Sequence, residues 1–562
     1  MVKRGQNSQQ VGLNIVGSSI FGRYPKISQE RTINMFQSDN FLVDYAGYEI
    51  IISSTLLGNG KQGRGIFTST KLGQLVIVID QFVYLVSITY NQANDQALID
   101  QVNPIGQLQT NTGIVYITEN NKPQILFSDN KHLYIYDATT LGQVKVVPNL
   151  DFRPGYITFH DTYFIAAASN DTGAGGGTVQ NNTWRLSDQN EGYESAPGVN
   201  AWPYDRFHVG TLQTKPDNVQ AVVRFPSKGN MILVMGSIVT ESWSDTGAQL
   251  FPYQRFNQFN IDYGCLSPAS VAYMDELVVW LAANEKSGPI IMYSDGGMPK
   301  KITTDGIDFL FSELQNPQDS QGFLYRQDGH LFYHINFYSD NLSLFYDFMT
   351  NKFYNASDQY GNYFIASEIA FLQNQYYFVT RNNGNLFAFD TSFTTYEDVV
   401  SNTNPEASKY IIPRIRICKN IRLPSQEYFI INDIGFTIES GETNYYQQPG
   451  DFLPEGPEDF LLLDGTNFLL LDGTHFLLLS EIGASDSINN LINATPKVFL
   501  SISYDGGGAF GNEWVYHLPG IGQRRNKLQW WQCGLCNDAV FQFRFESIGR
   551  FVSTDGVVNI RT

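Results

Sequence analysis

Five apolar segments of the chain close on an aromatic residue and an aspartate: Leu133-Tyr-Ile-Tyr-Asp137, Thr240-Glu-Ser-Trp-Ser-Asp245, Ile290-Ile-Met-Tyr-Ser-Asp295, Leu342-Ser-Leu-Phe-Tyr-Asp347 and Leu386-Phe-Ala-Phe-Asp390. The aspartates stand 108, 50, 52 and 43 residues apart; the first gap is about two units of 54, and Val83-Tyr-Leu-Val-Ser87 lies one unit further upstream. A period of roughly 45 to 55 residues is the length of a propeller blade of four strands. About seven periods fit, which predicts an all-β chain with a β-propeller of about six to seven blades over residues 41–395. Strand order within a unit is legible: Val219 to Phe225, a Pro226-Ser-Lys-Gly-Asn230 turn, Met231 to Gly236 and Ile238 to Trp243 read as one meander. Val271 to Tyr273, Leu277 to Ala282 and Pro289 to Tyr293 read as the next. Asn-Gly and Asp-Gly pairs at Asn59, Asp295, Asp305, Asp328, Asn383, Asp464, Asp472, Asp505 and Asp555 mark hairpin turns, since such pairs tolerate positive φ.

Past Asp390 the rhythm stops, and the Thr, Ser, Asn and Pro of Thr391 to Ser408 read as a linker. A second set of strands follows, at Tyr410 to Cys418, Tyr428 to Ile438, Val498 to Tyr504, Trp514 to Leu518, Leu528 to Cys533, Val540 to Phe545 and Val557 to Arg561, enough for a β-sandwich. The expected organisation is an N-terminal extended arm contacting neighbours (1–40), the propeller (41–395), a linker with the first sandwich strands (396–440), an insertion (441–495) and the rest of the sandwich (496–562). The insertion carries an octapeptide repeat, Phe460-Leu-Leu-Leu-Asp-Gly-Thr-Asn467, Phe468-Leu-Leu-Leu-Asp-Gly-Thr-His475, Phe476-Leu-Leu-Leu-Ser-Glu481. Such strands are apolar on both faces, so they need a partner: their own domain, copies of themselves, or something hydrophobic met later.

Composition narrows the function classes. With 42% hydrophobic and 16% charged residues, and 40 Phe beside 32 Tyr, the chain is globular rather than disordered or coiled-coil. A formal charge of −19 argues against wrapping nucleic acid or docking on an anionic membrane, both of which need dense Lys and Arg. Four cysteines are too few for a disulfide framework, the first residues lack the apolar stretch of a signal peptide, and no apolar run nears the ~20 residues of a membrane helix. The expectation is cytoplasmic synthesis without secretion.

No catalytic, cofactor or metal residue is nominated. Cys533-Gly-Leu-Cys536 is half a zinc pattern without a second pair, and on a regular strand positions i and i+3 face opposite ways. His330 and His334 sit in a strand-like run and read as half-buried structural residues, and Asp171-Thr-Gly-Ala-Gly-Gly-Gly-Thr178 lacks the Lys and helix of a phosphate cradle. Ser503-Tyr-Asp505-Gly-Gly507-Gly-Ala-Phe510 resembles the Asp-box hairpin of sialidase propellers, a folding element in which Asp accepts backbone donors across a turn. A glycosidase needs two carboxylates at a fixed separation, and no pair stands out. The one basic cluster is Arg414, Arg416, Lys419 and Arg422; alternation puts Arg414 and Arg416 on one strand face, either solvated or contacting an acidic partner or DNA phosphates.

In order along the chain, Phe21-Gly-Arg-Tyr-Pro-Lys-Ile-Ser-Gln-Glu-Arg-Thr-Ile-Asn-Met-Phe36, Gly63-Arg-Gly-Ile-Phe67, Lys215-Pro-Asp217 with Gly236 to Gly247, Gly264-Cys-Leu-Ser-Pro-Ala-Ser270, Ser501 to Gly507, Gly520 to Arg525 and Trp530 through Arg544 resemble the tail hub proteins of short-tailed bacteriophages, the packaged-DNA stabilisation family. That resemblance implies a hexameric ring below the head-to-tail adaptors that extends the portal channel, retains packaged DNA and conducts it during ejection. It also implies neighbours in the portal-proximal ring and among tail fibre, spike or needle proteins, transient non-specific contact with viral double-stranded DNA, and a virion location. The Leu repeat departs from the family pattern. It is expected either to pack in its own domain or, through Phe460, Leu462, Phe468, Leu470, Phe476 and Leu478, to form a gate or a tip facing the host envelope. A tail-associated propeller enzyme or an adhesin acting on host glycans is the alternative.

Overall fold

The computed structural model describes residues 8–23, 30–91, 96–173, 178–225, 228–248, 251–256, 260–401, 404–442, 496–518, 525–547 and 550–561. The chain divides into two units. The larger holds Ser18–Asn34 and Tyr45–Phe393; the smaller holds the residues up to Gly17, Met35–Asp44 and Thr394–Thr562.

The larger unit is a propeller of seven antiparallel meanders, called blades 1 to 7 below. Blade 1 runs from Gly63–Ser69 to Gln96–Gln107, blade 2 from Tyr116–Glu119 to Lys145–Val146, blade 3 from Arg153–His160 to Val209–Thr211 and blade 4 from Val219–Arg224 to Tyr253–Arg255. Blade 5 runs from Gly264–Cys265 to Lys300–Lys301, blade 6 from Ser320–Gln327 to Lys352–Asn355, and blade 7 from Ala366–Leu372 to Leu386–Asp390. The outer strand of blade 7 is Gly47–Ile52, which precedes blade 1 in sequence, so the two ends of the ring are joined by strand pairing, Asp390 opposite Gly47. The seam is tight. The Gly63 N–H donates to the Asn383 carbonyl at 3.2 Å, and a Cβ on Gly384 would lie 2.3 Å from the Gly60 carbonyl oxygen, so only glycine lets the backbones cross.

The long apolar strands follow from this arrangement. In Gln74–Ile79, Val76 and Val78 pack toward blade 2 with Ile125 and Phe127, while Leu75, Ile77 and Ile79 pack toward blade 7 with Tyr377 and Val379. Met231–Gly236 repeats the pattern, Ile232 and Val234 facing blade 3, Leu233 and Met235 facing blade 5. Side chains alternate in direction, and both directions meet a neighbouring sheet, so both must be apolar.

The aspartates that carry the sequence period end the third strands of their blades. Each carboxylate accepts the backbone N–H two residues on: Thr139 on Asp137 at 2.8 Å, Gly247 on Asp245 at 2.8 Å, Gly297 on Asp295 at 3.4 Å, Met349 on Asp347 at 2.9 Å and Ser392 on Asp390 at 2.8 Å. These are Asx turns that launch the chain into the next strand. The long first gap is blade 3, whose third strand, Thr183–Leu186, is followed by an excursion containing the Glu194–Ala196 and Val199–Asn200 hairpin before the fourth strand. No such turn is needed there, and the repeat is silent.

Asp328-Gly329 makes the expected hairpin, with φ of 49° and 83°. Asp305-Gly306 does not. It opens the helix Asp305–Ser312, with Asp305 and Asp308 in the first turn, and a Cβ on Gly306 would lie 1.5 Å from the Phe21 carbonyl oxygen. Hairpins after Ile79, His160, Met274 and Leu372 instead use Asp80, Asp161, Asp275 and the pair Gln373-Asn374 at positive φ.

The smaller unit is a β-sandwich. One sheet has the order Ser8–Leu13, Gly556–Arg561, Phe429–Glu442, Arg550–Ser553, Phe41–Asp44, Met35–Ser38, with Arg525–Cys536 also paired to Phe429–Glu442. The other joins Arg414–Ile417, Asp538–Glu546, Lys497–Ser503 and Trp514–His517. They enclose one core: Ile434, Phe436, Trp530 and Val558 from the first sheet, Leu500, Ile502, Phe541 and Phe543 from the second. Ser8–Leu13, within the segment expected to form an arm, is an edge strand of this sandwich.

Burial pushes the Asp137 carboxyl up, but hydrogen bonds from Thr139, Gln124 and Thr140 outweigh it and hold the group at about 2. Its contribution to stability is therefore complete above about pH 4, the unfolded carboxyl range, and is lost as pH falls toward 2. Asp137→Ala should cost about 1–3 kcal/mol at pH 7 and progressively less below pH 4, read by urea unfolding across that range.

Candidate functional site

Strands of six blades border an open cavity of about 310 Å³: Ile66–Thr68, Tyr116–Thr118, Tyr156–Ile157, Ala272–Met274, Gln321–Leu324 and Ser367–Phe371, from blades 1, 2, 3, 5, 6 and 7. Most lining residues are aliphatic or aromatic, including Ile66, Tyr116, Tyr156, Tyr273 and Phe323, but polar atoms make up about half of the surface they show to the cavity. The rings of Tyr116 and Tyr156 lie 4.9 Å apart at 52°. One carboxylate, Glu368, reaches this space. A bulge puts it there: Ala366 pairs with Thr380 and Glu368 with Val379, so Ser367 is the extra residue, tied by its hydroxyl to the Val379 carbonyl at 2.8 Å. Glu368 Oε2 accepts the Ile66 N–H at 3.2 Å, and burial pushes the carboxyl up to about 8. With a single carboxylate in its lining, the cavity does not hold the two-carboxylate arrangement of a glycosidase.

The motifs that carry the family resemblance are folding devices. Arg64 of Gly63-Arg-Gly-Ile-Phe67 is the extra residue of a blade 1 bulge, and its guanidinium donates to the carbonyls of Asp80, Thr110, Thr112 and Gly113 at 2.6–2.9 Å. Asp217 accepts the N–H groups of Asn218, Ile238 and Val239 at 2.8–3.2 Å and so fixes the turn after Gly236. Glu241, fully buried, accepts from the Gln213 and Thr214 backbone and from Trp243 Nε1. In Gly264 to Ser270, Ser267 donates to the Ser320 carbonyl at 2.8 Å and Ser270 accepts the Leu281 N–H at 2.9 Å, pinning the 3-10 turn Pro268–Ser270 beside the cavity.

The basic cluster splits. Arg414 and Arg416 are fully buried inside the sandwich unit rather than outward-facing. Arg414 donates to the Ser547 carbonyl at 2.7 Å and to Asp44 at 3.2 Å; Arg416 donates to the carbonyls of Ile15 at 2.9 Å and Asn14 at 3.1 Å. The alternation was read correctly but its sense is reversed, because long guanidinium arms here satisfy backbone carbonyls and a carboxylate that the sandwich has removed from water. Burial pushes the Asp44 carboxyl up, against the pull of Arg414 and Arg550. Lys419 is exposed, and Arg422 pairs with Asp538. Phe460, Leu462, Phe468, Leu470, Phe476 and Leu478 lie outside the described residues.

Cys533 and Cys536 both face the sandwich core, not opposite sides, because a bulge between the Ile431–Gly534 and Asp433–Trp531 pairs interrupts the alternation. Burial raises the two thiols to about 12 and about 11. Among the described residues no group of three potential ligands could hold a metal. His330 and His334 are fully buried rather than half-buried; His330 bonds Asp347 at 2.9 Å, and burial drives His334 down to about 3. Asp171 grips the buried Arg185 through both oxygens at 2.8 and 2.9 Å. Asp505 accepts the Ser503 hydroxyl and the N–H groups of Gly508 and Ala509, as an Asp-box turn requires.

Residues 199–392 match the family model described as bacteriophage P22 Gp10, beta-propeller. The match supports the phage packaged-DNA stabilisation family for this chain. The resemblance read from the sequence is borne out over that segment, which runs from Val199 through the last strand of blade 3 and blades 4 to 6 to the three strands of blade 7 that end at Asp390. No curated protein matches the chain. Among solved structures, the N-terminal domain of Nup159 is 10% identical over 66% of this chain and 99% of that one, with a TM-score of 0.38. A virginiamycin B lyase from Staphylococcus aureus is 10% identical over 61% and 99%, also at 0.38. Likeness at that level carries nothing about partners or chemistry. Among the described residues no helix is long and apolar enough to cross a membrane.

Arg414→Ala should cost about 1–3 kcal/mol, since it removes the donor to the Ser547 carbonyl and to one Asp44 oxygen while Arg550 stays beside the carboxyl, whereas Lys419→Ala should stay within about 0.5 kcal/mol. Thermal unfolding of both variants against the parent protein checks the contrast.

Proposed function

We propose that the protein is the tail hub, or nozzle, of a short-tailed phage: a homohexamer that extends the portal channel, retains packaged DNA and conducts it during ejection. The observation that carries this reading is the match of residues 199–392 to a phage stabilisation propeller. Charge supports it. Six copies at −19 would bring roughly −110 charges to the ring, and an acidic wall repels DNA where Lys–phosphate contacts would release counterions and hold it. Four of the 36 basic residues that could have gripped phosphate, Arg64, Arg185, Arg414 and Arg416, are spent inside the fold. In this reading the protein is not an enzyme. Its neighbours are the portal-proximal adaptor ring above, and fibre, spike or needle proteins below, with host envelope contact at the distal end. The insertion at 441–495 would serve as the gate or tip.

Negative-stain imaging of the purified protein, together with light scattering, tests the assembly. A six-fold ring of about six times 63.4 kDa is expected. A discrete monomer that cleaves a host glycan would replace this reading with the depolymerase alternative.

A further inference from the structure

We propose that the six-blade cavity of the propeller is a binding site for a small organic ammonium cation, held by the Glu368 carboxylate and the faces of Tyr116 and Tyr156. The inference rests on the cavity alone and does not depend on the hexamer or on the tail assignment.

Four observations converge. Glu368 is the one carboxylate of the lining, and no Lys, Arg or His shares that wall with it. Glu368 is half-buried, and a carboxylate partly withdrawn from water without a counter-charge gains from a proton or a cation brought from outside. Aromatic rings supply the second half of the site: Tyr116 and Tyr156 line the same cavity with their centroids 4.9 Å apart, and such rings attract desolvated cations. Outside that lining, the exposed Arg224 guanidinium lies 4.8 Å from the centroid of the Tyr273 ring, so one aromatic of the wall already carries a cation on its outer side.

The chemistry selects the class of cation. Ca²⁺ and Mg²⁺ bind through several oxygens, commonly more than one of them a carboxylate, and this lining offers a single carboxylate among mostly aliphatic and aromatic side chains. An anion such as a nucleotide would meet the carboxylate and no positive group. A volume of about 310 Å³ lies at the lower end of the ~300–1,000 Å³ range of ligand pockets and suits a small alkylammonium.

Binding must compete with a proton, because burial raises the Glu368 carboxyl to about 8. It is therefore mostly neutral below that pH, and the cation should bind more tightly above it. The other titratable groups around the site do not share that window. Burial pushes Tyr116, Tyr156 and Cys265 upward. The arginines on neighbouring inner strands are engaged elsewhere, Arg64 with the carbonyls of Thr110, Thr112 and Gly113, and Arg326 with Asp275.

Calorimetric titration of the full chain with choline and with n-butylammonium, against 3,3-dimethylbutan-1-ol as the uncharged isostere of choline, tests the site. At least one of the two ammonium probes should saturate at one per chain, and the alcohol should bind at least tenfold more weakly than choline. Affinity should rise at least tenfold, and by about 25-fold for a carboxyl titrating at about 8, from pH 6.5 to pH 8.5. Glu368→Gln should lose at least tenfold and flatten the pH dependence. Tyr116→Leu, which keeps the carboxylate and removes one ring, should weaken binding several-fold and covers the case in which the first variant fails to fold. Absence of saturable binding of either probe at both pH values overturns the proposal. So does equal affinity for the neutral alcohol, or unchanged affinity in a folded Glu368→Gln protein.

Discussion

Most of the propeller rests on one constraint: each central strand of a blade is covered on both faces by other sheets. Gln74–Ile79 shows the consequence in five consecutive positions, Leu75 to Ile79, all fully buried, with odd and even residues belonging to different inter-blade cores. At roughly 25 cal/mol per Å² of apolar surface, burial on two faces is the main term that offsets the entropy of ordering so many strands. It also makes the blades interdependent, because each blade completes the core of the next. The join at Gly47–Ile52 matters for the same reason: it is where blade 7 gains its fourth strand and the ring is tied by strand pairing.

The period was legible because a covalently local device repeats once per blade. An aspartate at the end of the third strand bonds the N–H two residues later, which needs no knowledge of the neighbouring blade and so leaves a mark in sequence. Blade 3 lacks that mark for a physical reason, the insertion between its third and fourth strands, and it could be placed only from the double-length gap. Turns without glycine, such as Asp80 and Asp275, were invisible because residue type alone does not reveal which Asp accepts positive φ. The bulges were equally hidden. Those at Ser367 and Arg64 decide which way Glu368 and Arg64 point, and a one-residue shift of register leaves no compositional trace.

Charge was read correctly in total and wrongly in place. The cluster at 414–422 looks like a positive patch along the sequence, yet Arg414 and Arg416 spend their donors on Ser547, Asp44, Ile15 and Asn14, segments far away in the chain. Sequence gives the spacing of the arginines but not the carbonyls left unpaired where distant segments meet. Those carbonyls are the stronger demand, since a buried polar group without a partner costs about 1–3 kcal/mol. Arg185, fully buried and clamped by Asp171 and Asp151, follows the same rule in blade 3.

Sequence kinship and chemistry therefore reside in different residues. The segments that resemble the phage family, around Arg64, Asp217, Glu241 and Ser267, are occupied in holding turns and bulges of the propeller, with their polar atoms already bonded within the fold. Such residues report that the scaffold is shared and say little of what passes along it. Glu368 belongs to no such motif. It is placed by a bulge on an inner strand, receives one backbone N–H and meets no counter-charge in its lining, so its cost is not repaid by folding alone. A carboxyl kept under those conditions, in the one place where the inner strands of six blades meet, is where a ligand rather than the scaffold would account for the residue.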